Sequence, residues 1–153
     1  MAEPPSPSPF KVRVEGIYFD SAHFATYGGR CEPPLHGHTY QVAAEVSGAL
    51  TDDSWVLDFK RLKTILRQIC QDIDHRMLLQ VESRILKIEG LNGTWRVVTP
   101  DGAEYSFPEA DVAALPIDNT TAERLAEWFS ARVWSAVGSR SSSIQTISVE
   151  IWE

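Results

Sequence analysis

One strand-like run constrains this chain more than any other segment. In residues 36–48 apolar side chains alternate with polar or small ones, and the run begins with His36-Gly-His38. On a β-strand, residues i and i+2 point to the same face of the sheet. We therefore expect His36 and His38 to project side by side from the start of one strand, as a pair of imidazole groups.

A third histidine gives this pair a chemical meaning. His23 ends an earlier strand-like run, and three of the four histidines in the chain fall within residues 23–38. Three neutral imidazoles with one open position are typical of a catalytic zinc site, whereas structural zinc sites have four protein ligands. The alternative is that these histidines are ordinary packed or surface residues. Their clustering favours a zinc site formed by His23, His36 and His38.

Two further groups could take part in acid–base chemistry. Cys31 lies in a predicted loop between Gly28 and Pro34, a location typical of a reactive thiol. Asp74-His75 is an acid–histidine pair after a predicted helix, so it either belongs to an active site or simply ends that helix. The second cysteine, Cys70, is expected to pack as a small apolar residue.

Composition limits the classes of protein that the chain can belong to. Its 153 residues are enough for one domain, 43% of them are hydrophobic, and the net charge is −7 without a basic block. The charge argues against a nucleic-acid surface, and no apolar run has the length of a membrane span. Residues 1–9 are rich in proline and serine, which predicts a disordered tail rather than a signal peptide. We expect a cytoplasmic protein without a disulfide.

The apolar periodicity gives an order of elements for residues 10–153, read as a single domain. Asp58 stands before the first predicted helix, where an acidic side chain caps free N–H groups. Asn92-Gly93 and Asp101-Gly102 lie between β-rich runs and are strong hairpin signals. The layout predicts an α+β fold, with both helices on one face of an antiparallel sheet. The predicted elements are strands at 10–24 and 36–48, a helix at 59–72, an inserted β meander at 80–117, a helix at 120–137 and a strand at 144–153.

The order of these motifs resembles the 6-pyruvoyltetrahydropterin synthase family, which includes the 6-carboxytetrahydropterin synthases. The resemblance covers nearly all of residues 10–153 apart from the meander. It implies the tunnelling fold, in which oligomerisation completes a β-barrel, and a homohexamer of two stacked trimers with active sites at subunit contacts. The motifs that carry the resemblance are His23, the cysteine before His36-Gly-His38, Asp58-Phe59, Asp74-His75, Thr121-x-Glu123 and a final strand that ends in glutamate.

The resemblance also implies a reaction and a set of roles. The family consists of zinc-dependent lyases that convert 7,8-dihydroneopterin triphosphate to a 6-pyruvoyl- or 6-carboxy-tetrahydropterin. The implied roles are zinc binding for His23, His36 and His38, catalysis for Cys31, Asp74 and His75, pterin binding for Glu153 and Glu123 with Glu150 in place of Glu153 if the register slips, and triphosphate binding for Arg30 and Arg76.

Several alternatives remain open at this point. Glu32 follows Cys31, and relatives that use a glutamate in this loop cleave the side chain to give 6-hydroxymethyl-dihydropterin. A non-catalytic paralogue that binds zinc or a pterin is a second alternative. Glu123 could serve only the start of its helix, because Thr120-x-x-Glu123 matches a capping box. The meander could be an external decoration, a lid or a subunit contact.

Overall fold

Two long antiparallel strands, β1 and β4, form the centre of the fold. The computed structural model describes residues 10–137 and 143–153, and the predicted disordered tail at 1–9 lies outside them. Within those ranges the elements are β1 Lys11–His23, β2 Thr26–Tyr27, β3 Arg30–Cys31, β4 His36–Gly48, α1 Phe59–Ile73, β5 Arg76–Gln80, β6 Lys87–Leu91, β7 Thr94–Val98, β8 Glu104–Pro108, a 3₁₀ turn at Glu109–Asp111, β9 Val112–Leu115, α2 Ala122–Val137 and β10 Ile144–Trp152.

The register of β1 on β4 brings the candidate metal ligands together. His23 lies opposite His36, and Ser21 lies opposite His38. Phe19 and Tyr40, on the same face as the histidines, are fully buried and their rings stack with centroids 4.8 Å apart. The alternation that predicted these strands therefore places the histidine cluster at the end of an apolar face.

The main sheet has five strands in the order β10-β4-β1-β5-β9. The predicted antiparallel arrangement is correct for β10, β4 and β1, but it is wrong for β5 and β9. β5 runs parallel to β1, and β9 runs parallel to β5. The chain returns through α1 before it enters β5, which allows the parallel direction. Four of the five β5 residues are buried, so the strand lacks the polar–apolar alternation of a half-exposed strand.

Both helices pack on one face of this sheet, as predicted. The side chain of Asp58 accepts a hydrogen bond from the Lys60 N–H at 3.0 Å and caps α1, which confirms its structural role. Phe129 of α2 is fully buried and stacks on Phe19 of β1 with centroids 5.8 Å apart. Burying a side chain of this kind contributes about 1.5–3 kcal/mol. Within the described residues, neither helix combines the length and the apolar character needed to cross a bilayer.

The meander forms a separate three-stranded antiparallel sheet, β6-β7-β8. Asn92 and Gly93 connect β6 to β7 with positive φ at both positions, as a two-residue type I′ hairpin requires. The observed strands of this sheet lie within residues 87–108, whereas residues 112–115 pair with the main sheet as β9.

The meander packs on the face of the main sheet opposite the helices. In β5, Leu78 belongs to the core under the helices, while Met77 and Leu79 point into a second apolar cluster. That cluster also contains residues of the meander and of the segments on either side of it, and its buried members are Phe24, Met77, Leu79, Leu86, Val97 and Val112. β5 and the neighbouring end of β1 are therefore covered on both faces.

Candidate active site

The three histidines near the end of the β1–β4 pair form a compact donor set. The Nε2 atoms of His23 and His36 lie 3.1 Å apart, and one ligand atom from each of the three rings lies within 4.8 Å of the others. Zinc–nitrogen bonds of about 2.0–2.1 Å in a tetrahedral site place neighbouring nitrogens about 3.3 Å apart. The separation of these two nitrogens therefore fits a shared metal ion.

Hydrogen bonds to the second ring nitrogens orient two of the ligands. His23 Nδ1 lies 3.0 Å from the carbonyl oxygen of Thr120, and His36 Nδ1 lies 2.7 Å from that of Pro34. A carbonyl oxygen can only accept, so each Nδ1 carries the hydrogen and each Nε2 presents a lone pair. Metal-binding histidines usually have such a partner on the nitrogen that does not bind the metal. The tautomers of His23 and His36 therefore also fit a metal site.

Burial keeps His23 neutral. His23 is only 2% exposed, and this burial lowers the pKa of its ring to about 4. The hydrogen bond to Thr120 acts in the opposite direction, while the nearby rings of His36 and His38 lower the pKa further. A ring that is neutral at pH 7 can bind a metal without first losing a proton.

Gly37 lies where the two strands approach each other closely. A Cβ atom at this position would lie 3.2 Å from the carbonyl oxygen of Ser21 on β1. The middle residue of His36-Gly-His38 therefore has a packing reason, because the close contact of a side chain there would be relieved only by a shift of a few tenths of an ångström between the strands that align the histidines.

Three consecutive residues before α2 connect three parts of the site, and the roles of the first two were not predicted from the sequence. Asn119 accepts from the Thr26 N–H at 3.0 Å and donates to the Thr26 carbonyl at 2.8 Å, which holds the short β2–β3 hairpin. Thr120 is fully buried and holds His23. Thr121 accepts from the Arg124 N–H at 3.3 Å and caps α2. The one sequence feature that could have indicated these roles is the polar run directly before an amphipathic helix.

This arrangement corrects the predicted capping box. The box placed the cap at Thr120 with Glu123 as its partner, but the capping hydroxyl belongs to Thr121 and the residue three positions later is Arg124. Thr120 faces the buried His23 instead, and its carbonyl oxygen accepts the hydrogen of His23 Nδ1. Glu123 is exposed in the first turn of α2.

Asp74 and His75 follow the end of α1 and form an ion pair. His75 Nδ1 lies 2.9 Å from an Asp74 oxygen, and the other Asp74 oxygen accepts from the Asp20 N–H at 2.8 Å. The Asp20 contact, followed by the bond to His75, lowers the pKa of Asp74, and the bond to Asp74 raises the pKa of His75. The backbone N–H of His75 in turn donates to the backbone carbonyl of Asp20 at 2.6 Å. No pattern in the sequence predicts that Asp20 holds this pair.

His75 and Arg76 line a pocket of about 580 Å³. Asp20 and Thr39 also line it, and the hydroxyl of Thr39 donates to the carboxylate of Asp20. In the strand alternation, Asp20 and Thr39 point to the face opposite the three histidines. Within one subunit, the Asp74–His75 pair therefore lies across the main sheet from the imidazole cluster, although His38 also lines this pocket.

Cys31 lies on a short hairpin rather than in an irregular loop. Gly28 and Gly29, both with positive φ, form the turn between β2 and β3, and Cys31 pairs with Thr26. The thiol is partly buried against the second apolar cluster, and this burial, with a smaller effect of Asp101, raises its pKa.

Glu32 differs from its neighbour in its surroundings. Its side chain is 52% exposed and forms an ion pair with Arg30 at 2.8 Å. Cys31 and His75 line separate pockets of the subunit, so the structure does not bring the predicted catalytic cysteine and histidine into one cavity.

The register of β10 separates the two candidate pterin-binding glutamates. Glu153 Oε1 lies 3.4 Å from His38 Nε2, beside the histidine cluster. Glu150 points to the opposite face and binds Arg13 through two hydrogen bonds of 2.9 and 3.2 Å. The geometry therefore favours Glu153 over its alternative.

The fold and the site define an α+β protein with a three-histidine cluster suited to a metal ion. The chain belongs to the 6-pyruvoyl tetrahydropterin synthase family, whose model matches residues 11–153. A putative 6-carboxy-5,6,7,8-tetrahydropterin synthase of Pyrococcus horikoshii is 34% identical over 88% of this chain and 79% of its own length. One of Methanocaldococcus jannaschii is 35% identical over 77% of this chain and 72% of its own length.

Solved structures confirm the tunnelling fold. The 6-pyruvoyl tetrahydropterin synthase of Plasmodium falciparum has a TM-score of 0.85 and 32% identity, and the match covers 94% of this chain and 91% of that one. The Plasmodium vivax enzyme with its catalytic glutamate changed to alanine has a TM-score of 0.86 and 28% identity over the same shares. The family membership predicted from the motifs is confirmed, and the protein is a tetrahydropterin synthase-like enzyme.

Proposed function

We propose that the protein is a zinc-dependent lyase that converts 7,8-dihydroneopterin triphosphate to a 6-pyruvoyl- or 6-carboxy-tetrahydropterin. The observation that carries this proposal is the set of three convergent imidazoles, with two ring nitrogens tied to carbonyl oxygens and a glutamate beside them. Relatives named as 6-carboxy- and 6-pyruvoyl-tetrahydropterin synthases support the substrate class.

The proposed ligands of the metal are His23, His36 and His38. Zinc held there supplies Lewis-acid chemistry that favours loss of protons from the substrate side chain. Glu153 is proposed to bind the pterin, because a carboxylate accepts paired N–H bonds from an amino-pyrimidinone edge as it does from a guanidinium. Glu123, exposed in the first turn of α2, is proposed as a second contact to the pterin.

The Asp74–His75 pair is proposed to transfer protons. An imidazole with an unperturbed pKa near 6.5 changes its charge near neutral pH, and the adjacent Asp74 both orients it and stabilises its protonated form. Arg76 lies beside His75 in the same pocket and is proposed to bind the triphosphate, with the exposed Arg30 as a second candidate.

Assembly is proposed to bring the separated parts together. Cys31, proposed as the general base, and His75 line different pockets of one subunit. β10 and β9 are the outer strands of the main sheet, so neighbouring subunits can extend it into a barrel. We therefore propose a homohexamer of two trimers with active sites at subunit contacts. Cys31 and Cys70 are free thiols, which supports a reducing, cytoplasmic setting.

A second candidate reaction is cleavage of the dihydroneopterin side chain to 6-hydroxymethyl-dihydropterin. It requires Glu32 instead of Cys31 as the base. Two observations favour it: burial raises the pKa of Cys31, while Glu32 is half exposed to solvent. The Plasmodium vivax relative also has a catalytic glutamate.

The first experiment is to incubate the purified, zinc-loaded protein with 7,8-dihydroneopterin triphosphate and to identify the product by mass spectrometry. A 6-pyruvoyl or 6-carboxy product supports the first reaction, and a 6-hydroxymethyl product supports the second. No conversion, with zinc bound and the oligomer intact, supports a non-catalytic paralogue and contradicts both.

Two variants then identify the base. Cys31→Ala is expected to abolish turnover while zinc content stays at the wild-type level. If activity survives this change and is lost in Glu32→Ala, Cys31 is not the base and Glu32 takes that role. Zinc content, measured by elemental analysis in both variants, separates loss of the base from loss of the metal.

A further inference from the structure

Strand β8 of the meander presents two aromatic side chains to the main body of the protein. Tyr105 and Phe107 are two positions apart and therefore point to the same face of β8. Their rings are parallel, at an interplanar angle of 1°, with centroids 6.3 Å apart. Both pack against the second apolar cluster, whereas Ser106 between them is exposed.

Both rings contact Phe24, the residue that follows the candidate metal ligand His23. The centroid of Phe24 lies 4.8 Å from that of Tyr105 and 6.3 Å from that of Phe107. Phe24 is fully buried, and its carbonyl oxygen accepts hydrogen bonds from Gln80 and Thr120. The two aromatic residues therefore pack on the segment that positions the metal site.

Beyond Phe24, each ring reaches a different part of the candidate catalytic machinery. Tyr105 lines a small cavity of about 190 Å³ together with Cys31 and Phe24. Phe107 lines the pocket of about 580 Å³ that contains His75. These are the two pockets that hold the predicted cysteine and histidine separately.

We propose that β8 is a positioning element of the active site, in which Tyr105 holds the Cys31 hairpin, Phe107 holds the wall of the His75 pocket, and both rings are anchored by packing on Phe24. The proposal rests on the proposed function for its effect on turnover, but not for its effect on Cys31. It assigns a functional role to the meander. Both residues act through others and are positioning residues rather than catalytic ones.

The test of Tyr105 combines thiol accessibility with kinetics on the zinc-loaded full-length protein. In Tyr105→Leu, alkylation of Cys31 by iodoacetamide, located by peptide mass spectrometry, is expected to accelerate about fivefold because the thiol loses its cover. The kcat for 7,8-dihydroneopterin triphosphate is expected to fall about tenfold with KM within about twofold, because a displaced catalytic group affects the chemical step. Tyr105→Phe, which keeps the ring, is expected to restore both values.

Matched variants separate this role from general loosening of the fold. Ser106→Ala, on the exposed face of β8, is expected to change neither measurement. Phe107→Leu is expected to lower kcat while alkylation of Cys31 keeps the wild-type rate. Tyr105→Met is measured alongside Tyr105→Leu with the same expectation, so the test does not depend on the folding of one variant.

The outcomes distinguish this proposal from the proposed function. Wild-type alkylation in both Tyr105→Leu and Tyr105→Met, or an equal acceleration in Ser106→Ala, overturns the role of Tyr105 even if the enzyme is active. An unchanged kcat in Phe107→Leu overturns the role of Phe107. If the wild-type protein does not turn over the substrate, the proposed function fails, and the alkylation rates alone decide whether Tyr105 holds Cys31.

Discussion

The two histidine sites of this chain are built in opposite ways. The cluster of His23, His36 and His38 forms at the end of two long strands, and the backbone register alone brings His23 opposite His36. His75 instead follows the end of a helix, with a side chain that is 76% exposed and attached to Asp74. In the first site His23 is buried and His36 and His38 are half-buried, whereas the second site lies at the protein surface.

This difference has an electrostatic consequence. Burial lowers the pKa of His23 to about 4, whereas the bond to Asp74 raises the pKa of His75. At pH 7 the first ring is neutral and has a lone pair for a metal, while the bond to Asp74 favours the protonated form of the second ring. The two roles proposed for histidine in this chain, metal binding and proton transfer, thus follow from different surroundings of the same residue type.

The largest expected effect distinguishes metal loss from loss of proton transfer. His38→Ala is expected to remove bound zinc and to lower turnover by about a thousandfold or more, because one of three ligands is lost. Elemental analysis and product formation are measured on the same sample. Zinc retained at the wild-type level in both His38→Ala and His36→Ala would contradict the ligand assignment.

His75→Ala is the complementary change at the other site. Turnover is expected to fall about a hundredfold, in the range typical of a lost general acid or base, with unchanged zinc content. Loss of zinc from this variant would show that the two sites are not independent. His38→Ala, prepared in parallel, is the positive control for zinc loss.

A smaller effect is expected at the residue that orients His23. Thr120→Ala removes the hydroxyl 3.1 Å from His23 Nδ1 but leaves the carbonyl oxygen that accepts its hydrogen. Zinc affinity is expected to fall about tenfold, as for other residues that orient a metal ligand. Competition with a chromophoric chelator measures it, and Thr121→Ala, which loses only a helix cap, should bind zinc like the wild type.

The smallest effect concerns the exposed pair. Since Asp74 raises the pKa of His75, Asp74→Asn is expected to lower that pKa, which a proton NMR titration of the His75 ring can follow. The limb of the pH–rate profile that reports the ionisation of His75 should move to lower pH together with this pKa. In the wild type the pairing stabilises the folded state below about pH 6.5, and this contribution is lost as the pH rises through the folded pKa of His75. An unchanged titration would remove Asp74 as the cause.

The same contrast explains what could be predicted from the sequence. The alternation in residues 36–48 determined the strand, its face and its two histidines, because the period of a strand is local information. The stripe at Leu125, Phe129, Val133 and Val137 likewise predicted the buried face of α2, and all four residues are buried. The cap at Asp58 could also be predicted, because a helix cap involves only residues that are neighbours in the chain.

What the sequence missed depends on contacts between distant segments. β5 and β9 are short and largely buried, so no alternation revealed that they join the main sheet in parallel. The match of Thr120-x-x-Glu123 to a capping box does not reveal the contact of Thr120 with His23, because the two residues are 97 positions apart. The choice between Glu150 and Glu153 required the register of β10 on β4, which follows from pairing and not from composition.

The contact between Thr120 and His23 also has a consequence for the order of folding. The three ligands lie within residues 23–38, so the β1–β4 pair can gather them through contacts of short sequence separation. The partner that orients His23 arrives only when the start of α2 docks from 97 positions away, and closing so long a loop is slow. We therefore expect a refolding chain to bind the proposed metal weakly at first and tightly once the start of α2 has docked, so that the strength of metal binding reports the docking of this helix.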